Sequence, residues 1–425
     1  MKSIKKPTKY VILLLVLASS FSFNSVARAS YEQTLVCVQV GTPPVVRSWT
    51  NITLIYDNQF HDPMELQEEI DRIHNLVPDL VDIGVIGQSI QGRNLTYLRI
   101  TNEQNTEQKA KTLVVAQHHG REQITVEASL RFILHLLNNY GIDEGITQHI
   151  DNQEIYVIPT LNPDALEIVV NLGNHWLRKN LRPYDNDGDG AFDEDPVEDV
   201  DGDGHIYGAD VYTKNGSDLI YEYSYYEGID NDGDGLINED EAGLVDLNRN
   251  YATFWRNGTG WSPDPTNQVY PGTTPFSEPE TDSFRQFALQ HRFAMAYSLH
   301  SGINATYFLG DERGWYPEPN LYLDILADFY KILPSGFFPT SNLRSKGSQN
   351  SDLDIQTGLA GGWGEWMYYE RGTLVPITFE IYHNASVDQP EAITTIVDNS
   401  THFIEKWNGI YGFFAPEEQF INNLS

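Results

Sequence analysis

One stretch constrains the fold of this chain more than any other. A β-branched apolar run, Thr112-Leu-Val-Val-Ala116, leads through Gln117-His-His-Gly-Arg-Glu122 into Gln123–Leu137, whose apolar residues recur at helical spacing. The first part reads as a buried strand and the last as an amphipathic helix. A corner held between two such elements is rigid and exposed, which suits chemistry. His119 and Glu122 stand three residues apart where the helix opens, so an imidazole and a carboxylate face one way and can grip one ion. Zinc accepts that nitrogen–oxygen set, and a catalytic zinc site needs a third protein ligand and one open position. His-x-x-Glu alone also describes a surface ion pair, so the third ligand must come from elsewhere.

The rest of the chain alternates in the same manner. Met64–Leu76 reads as a helix after an Asp62-Pro63 start, and Val81–Gln88 and Leu95–Ile100 as strands around the Gln91–Asn94 turn. Further strands are expected over Glu154–Ile158, Ala294–His300 and Leu374–Tyr382. Helices are expected from a Ser277/Glu280 capping box to Gln290, over Asn320–Tyr330 and over Gln389–Trp407. This predicts an α/β fold: a central mixed, twisted β-sheet covered by helices on both faces. One domain is expected over 61–415, after an N-terminal extension (30–60) and before a short tail (416–425).

Residues 1–29 stand outside the fold. Lys2, Lys5, Lys6 and Lys9 precede apolar Val11–Leu17 and a small-residue site, Ala27-Arg-Ala29. That is the layout of a secretory signal peptide, and its apolar run is too short to span a bilayer. The expected protein is therefore secreted, extracellular, without a membrane span, and monomeric. Losing those four lysines and Arg28 leaves it five charges more negative than the −33 of the whole chain, which excludes a nucleic-acid or anionic-membrane binder. Cys37 is the single cysteine; no intrachain disulfide can form, and it reads as a small buried strand residue.

Between 183 and 243 the composition turns acidic. Asp-x-Asp-x-Asp-Gly occurs three times, at Asp185/Asp187/Asp189, Asp199/Asp201/Asp203 and Asp230/Asp232/Asp234. Aspartates at alternate positions before a glycine turn supply the hard oxygens that calcium needs. The third copy continues with a carbonyl position at Leu236, Asn238, and Glu241 in the bidentate place. The first has Pro196 there, with Asp193 and Asp195 as substitutes; the second has Asp210. The segment reads as an inserted set of isolated calcium loops holding two or three structural Ca2+ ions.

Taken in order, His119-Gly-Arg-Glu122, Arg178-Lys-Asn180, Asn248-Arg249, Leu299-His-Ser301 and Thr378-Phe-Glu380 resemble the zinc carboxypeptidases of the carboxypeptidase A/B/T type. Phe276-Ser-Glu-Pro-Glu280 and Phe379-Glu-Ile-Tyr382 look closest to the bacterial carboxypeptidase T branch. The resemblance implies one catalytic zinc on His119, Glu122 and His300, and Glu380 as general base. It also implies Arg178 at the oxyanion, with Asn248 and Arg249 clamping the C-terminal carboxylate of a peptide and Arg121 assisting on the substrate side. One departure stands out: where the family carries a lid tyrosine, the best-aligned position is Thr357. Gly364 occupies the place where a member specific for basic residues would carry an aspartate, with Glu365 beside it. Two other readings compete: a zinc amidase on cell-wall peptides, and a non-catalytic calcium-dependent binding protein on the same scaffold.

Overall fold

The computed structural model describes residues 45–57, 59–186, 188–200, 206–215, 218–234, 238, 240–302, 305–309, 343–346, 358–381, 393–395 and 402–408. The leader, Cys37, Asp187, Asp201, Asp203, Leu236, the expected 320–330 helix, Thr357 and the tail lie outside the described residues.

The elements in chain order are α1 (Pro63–Leu76), β1 (Val81–Gln88), β2 (Asn94–Ile100), β3 (Ala110–Ala116), α2 (Ile124–Asn139), α3 (Glu144–Asn152), β4 (Gln153–Ile158) and α4 (Pro163–Asn171). They continue with β5 (Tyr207–Asn215), β6 (Asp218–Tyr226), α5 (Pro279–Gln290), β7 (Met295–His300), β8 (Ala305–Leu309), β9 (Leu343–Lys346), α6 (Trp363–Tyr369), β10 (Val375–Glu380), β11 (Ile393–Thr395) and β12 (His402–Asn408). The main sheet runs β1-β2-β4-β3-β7-β10-β8-β9. Its centre, β4-β3-β7-β10, is parallel; β1, β2 and β8 join antiparallel. The mixed α/β architecture expected from the alternating runs is the one observed.

The two-residue period of β3 explains why both faces are covered. Val114 and Ala116 enter one core cluster with Val126, Leu130, Ile133 and Leu137 of α2. Leu113 and Val115 enter the other, with Phe284 and Phe287 of α5 and Trp363 and Trp366 of α6. A strand buried on both sides must be apolar at every position, as this run is. The three parallel strands β3, β7 and β10 thus end together, and in such sheets ligands sit beyond the carboxyl ends.

Two local expectations are corrected. Ser277 does not cap α5: the cap is Glu278, without a side-chain bond, because Glu280 instead accepts from the Ile90 N–H and Asn180. Within Gln389–Trp407 the described residues are strands and not a helix: β11 pairs with β12, and β12 with β5, in a second, antiparallel sheet ordered β11-β12-β5-β6. Thr394, Thr395, Phe403 and Ile404 carry the β-branched and aromatic weight that favours strand.

The extension is legible from residue 45. Its described residues form no strand but lie along α2, where Arg47 Nη1 donates to Asn138 O (2.8 Å), Trp49 Nε1 to Leu137 O (3.2 Å), and Ile52 N to Asn138 Oδ1 (2.7 Å). It ends at fully buried His61, whose Nδ1 lies 2.9 and 3.0 Å from the two Glu127 oxygens. Burial opposes the imidazolium, but Glu127 and Glu69 outweigh it and raise the pKa from 6.5 to about 9. A raised folded-state pKa stabilises fully below pH 6.5 and loses that contribution as pH rises through about 9. At about 1.4 kcal/mol per unit, this is worth about 3 kcal/mol. Urea unfolding should therefore show stability declining over that window, and His61→Gln should flatten the decline. An equally steep decline in the variant would remove His61 from the account.

The acidic insertion is not a set of isolated loops. Its ends meet: Asn180 N donates to Val245 O (2.9 Å) and Leu244 N to Asn180 O (3.2 Å). Inside, Asp195 and Asp240 face each other across an isolated antiparallel bridge, both buried. Asp240 accepts the backbone N–H groups of Asn186 and Asp193 in the first loop. Asp195 accepts those of Asn231 and Asn238 in the third, at 3.1 and 3.0 Å. These are equivalent positions, two and nine of each loop, so the loops clasp each other reciprocally. Their backbones match: φ is +88° at both Gly188 and Gly233, and +54° and +59° at Asp193 and Asn238. Asp195 accepts backbone N–H groups through both oxygens, and Asp193 through Oδ1, from Tyr184 and Gly243.

Candidate active site

The corner after β3 is built for close approach. Gln117 takes a left-handed φ of +51°, and its Nε2 donates to Gly120 O (2.9 Å). A Cβ on Gly120 would lie 2.6 Å from that of Ala165 and 2.9 Å from Leu177 O, so only glycine lets the corner reach the chain that carries Arg178. Gly120 N then donates to Arg178 O (3.2 Å) and Arg121 N to Leu177 O (2.8 Å).

At the mouth of this corner His119, Glu122 and His300 converge, each buried, their candidate ligand atoms within 4.8 Å of one another. His119 Nδ1 is 2.7 Å from Glu122 Oε1, and His300 Nδ1 is 2.9 Å from Glu122 Oε2. Burial opposes the Glu122 carboxylate, but His119 and His300 hold its pKa far below the ordinary range. Although close to His300, Oε2 makes no hydrogen bond of acceptable geometry. A buried carboxylate oxygen so placed, facing two Nδ1 atoms, fits a divalent cation of the zinc class.

Asp246, which sequence reasoning passed over, organises the other wall. It is fully buried. Its Oδ1 lies 3.2 Å from His119 Nε2, so it orients the ring whose other nitrogen faces Glu122. Its Oδ2 accepts from Arg178 Nε and Nη2, at 3.0 and 2.9 Å, and lies 3.8 Å from Arg249 Nη1. Burial alone would raise its pKa; Arg178, Arg249 and His119 hold it well below the usual range. The available signal was its place in Val245-Asp-Leu-Asn-Arg249, an acid beside two candidate cations.

The remaining candidates fall as follows. Arg249 donates to Asn248 O (2.9 Å) and to Gly260 O. Gly361 passes so near the Arg249 carbonyl that a Cβ would overlap it. Asn248 is buried; its Oδ1 accepts from Trp363 N (2.9 Å), which turns Nδ2 toward His300 Nε2 (3.5 Å). Arg121 is not at the surface: its Nη1 donates to Trp176 O and Gln268 Oε1, and burial beside Arg178 lowers its pKa to about 10. Glu380, half-buried, ends β10 in register with His300 at the end of β7. In the insertion, Asp230, Asp232 and Asp234 cluster, and Asp189 and Glu194 of the first loop gather on Asp232. Glu241 belongs to neither described group and lines a small pocket with Lys179 and Tyr226. Asp185 bonds its own loop at Gly188 and Gly190, and Asp199 is half-buried near the edge of the described residues.

A family model described as zinc carboxypeptidase matches residues 66–424. The chain is similar to a zinc carboxypeptidase of Saccharothrix mutabilis subsp. capreolus, 32% identical over 148 residues, 34% of this chain and 32% of the relative. It is also similar to an inactive metallocarboxypeptidase of Saccharomyces cerevisiae, 30% identical over 129 residues, 30% of each chain. It thus spans about a third of the curated relatives it matches. In fold it is similar to thrombin-activatable fibrinolysis inhibitor, with a TM-score of 0.56, 19% identity, and coverage of 87% of this chain and 72% of that one. Carboxypeptidase A of Helicoverpa armigera gives a TM-score of 0.55 and 19% identity, covering 96% and 76%.

Proposed function

The chain belongs to the zinc carboxypeptidase family, and from that premise we propose that it is a secreted zinc-dependent carboxypeptidase that hydrolyses the C-terminal peptide bond of peptides. The observation that carries this reading is the buried His119–Glu122–His300 set facing Arg178 and Arg249, both oriented by one carboxylate. One zinc held by those three ligands would supply a Lewis acid to the scissile carbonyl and to an attacking water. Glu380 takes the proton of that water and delivers it to the leaving amine. Arg178 presents a fixed positive charge to the developing oxyanion. Arg249 pairs with the substrate's free carboxylate, a planar group suited to a guanidinium, with Asn248 as the floor and Arg121 backing the wall.

The clamp makes the reading testable. Arg249→Ala should raise KM for peptides with a free C-terminus while barely changing it for C-terminally amidated ones. Losing a charge-assisted hydrogen bond costs about 1.5–3 kcal/mol, about 10- to 100-fold. Equal losses on both substrates would make Arg249 structural and favour an amidase on cell-wall peptides. The similarity to an inactive relative leaves room for a binding protein on this scaffold; the complete ligand set and Glu380 speak for catalysis.

We further propose that the three acidic loops, the first and third of which clasp each other, hold structural calcium: Asp185, Asp187 and Asp189; Asp199, Asp201 and Asp203; and Asp230, Asp232, Asp234, Asn238 and Glu241. Carboxylates this closely spaced resist joint ionisation without a counter-ion. Asp232 illustrates this: Asp234 and Asp230 contribute to raising its pKa. A calcium-selective chelator should lower the melting temperature and open residues 185–241 to proteolysis while zinc stays bound. Unchanged melting and unchanged cleavage would return the segment to a solvated acidic loop. The basic, apolar and small-residue layout of residues 1–29 supports export of the whole.

A further inference from the structure

The residue before the first metal ligand is also a histidine, and the mechanism above does not use it. His118 is fully buried and stacks on His300, with ring centroids 5.4 Å apart and planes 15° apart. Ser298 Oγ lies 3.0 Å from His300 Nε2 and 3.2 Å from His118 Nδ1. His118 Nε2 lies 3.0 Å from the Tyr251 hydroxyl. Tyr251 is itself buried among Phe276, Phe284 and Trp366, and its backbone N–H is bonded to Gly361 O (3.1 Å).

We infer that His118 and Tyr251 are positioning residues for the metal ligand His300, acting through Ser298. The inference rests on the zinc reading. For His300 to offer the Nδ1 lone pair to a cation, its proton must sit on Nε2. Ser298 Oγ accepts that proton's hydrogen bond and turns its own single hydrogen to His118 Nδ1. His118 then carries its proton on Nε2 and donates it to Tyr251. With the His300 proton on Nε2 the bonds run in this one direction; Asn248 Nδ2, a donor 3.5 Å from the same nitrogen, then forms no bond to it, so Ser298 is the acceptor on which the metal-competent tautomer of His300 depends.

An apolar residue at 118 could still pack on Trp363 and Tyr251. It would leave the Ser298 hydrogen free to turn toward His300 Nε2, which drives the imidazole proton to Nδ1, the position a cation must occupy. The far end of the chain lies two residues beyond Arg249. The segment that carries the substrate clamp therefore also sets the protonation pattern of a metal ligand.

The test is zinc affinity, measured by chelator competition on the full chain, together with melting of the metal-free protein. His118→Leu and Ser298→Ala should weaken zinc binding about 10- to 100-fold, the usual effect of removing a partner of a metal-bound histidine. His118→Asn, whose Oδ1 replaces the Nδ1 acceptor, should recover most of that loss. Tyr251→Phe, which removes one oxygen, should weaken binding by a smaller factor.

Should His118→Leu fail to fold, Ser298→Ala and Tyr251→Phe decide the matter. Affinity within about twofold of wild type in both would overturn the inference. So would equal losses in His118→Asn and His118→Leu, because the histidine would then act by volume. A wild-type chain that takes up no zinc would instead sink the zinc reading, and this inference with it.

Discussion

Glu380→Gln should lose turnover by about 10²–10⁴-fold while keeping zinc and fold, since that is what a positioned general base contributes. The substitution keeps the shape of the side chain and removes its capacity to take a proton. The strand should not notice: Val375, Ile377 and Phe379 anchor β10 in the core, and Glu380 is half-buried at its end, in register with His300. The expected signature is a fall in kcat with zinc content at the wild-type level by metal analysis. Near wild-type turnover would mean that another group carries the proton.

Asp246→Asn should destabilise the protein by about 3–5 kcal/mol, the usual consequence of removing one partner from a buried ion pair. Asp246 faces Arg178, Arg249 and His119 at once, and an amide of the same size leaves two guanidiniums in a dry wall without a counter-charge. For a chain of this length the melting temperature should drop by roughly 1 °C per kcal/mol. Because the folded-state pKa is depressed, the stabilisation is complete above about pH 3.8 and is lost as the solution becomes more acidic. Calorimetry of wild type and variant at neutral pH and at pH 3 checks both statements. A variant as stable as wild type at neutral pH would show that the arginines are solvated well enough to need no partner.

The central strand was readable because every residue of Leu113–Ala116 is buried, and a run without polar interruption has one interpretation. The Asp62 start of α1 was readable because its cap is local: Asp62 and Glu65 bond each other's backbone. Of the three candidate metal ligands, His119 and Glu122 were suggested by their spacing, whereas His300 came from the resemblance, since it lies far along the chain and only the sheet brings it near. Asp246 escaped because its role depends on three partners from three segments. Ser277 misled for a related reason: a capping motif is a local preference, and Glu280 had stronger partners in Asn180 and the Ile90 N–H. The pairing of the acidic loops was hidden in Asp195 and Asp240, which accept backbone N–H groups of the opposite loop, a long-range role that no local spacing announces.

The Asn180–Val245 hydrogen bonds have a consequence for how such a chain can change over generations. They form a neck where the 181–244 excursion leaves and rejoins the fold, while β5 within it also pairs with β12. Arg178 and Asp246 sit just inside that neck, so their separation is set by the neck and not by the length of what it carries. Lengthening a closed excursion is cheap, about 0.6 kcal/mol per doubling. Loop material can therefore be added, duplicated or trimmed beyond the neck without moving the active-site wall, provided the β5–β12 pairing and the contacts on Trp176 are kept. The repeated acidic motif, present three times outside a site that needs each of its own residues once, is the pattern expected of an appendage free to be copied.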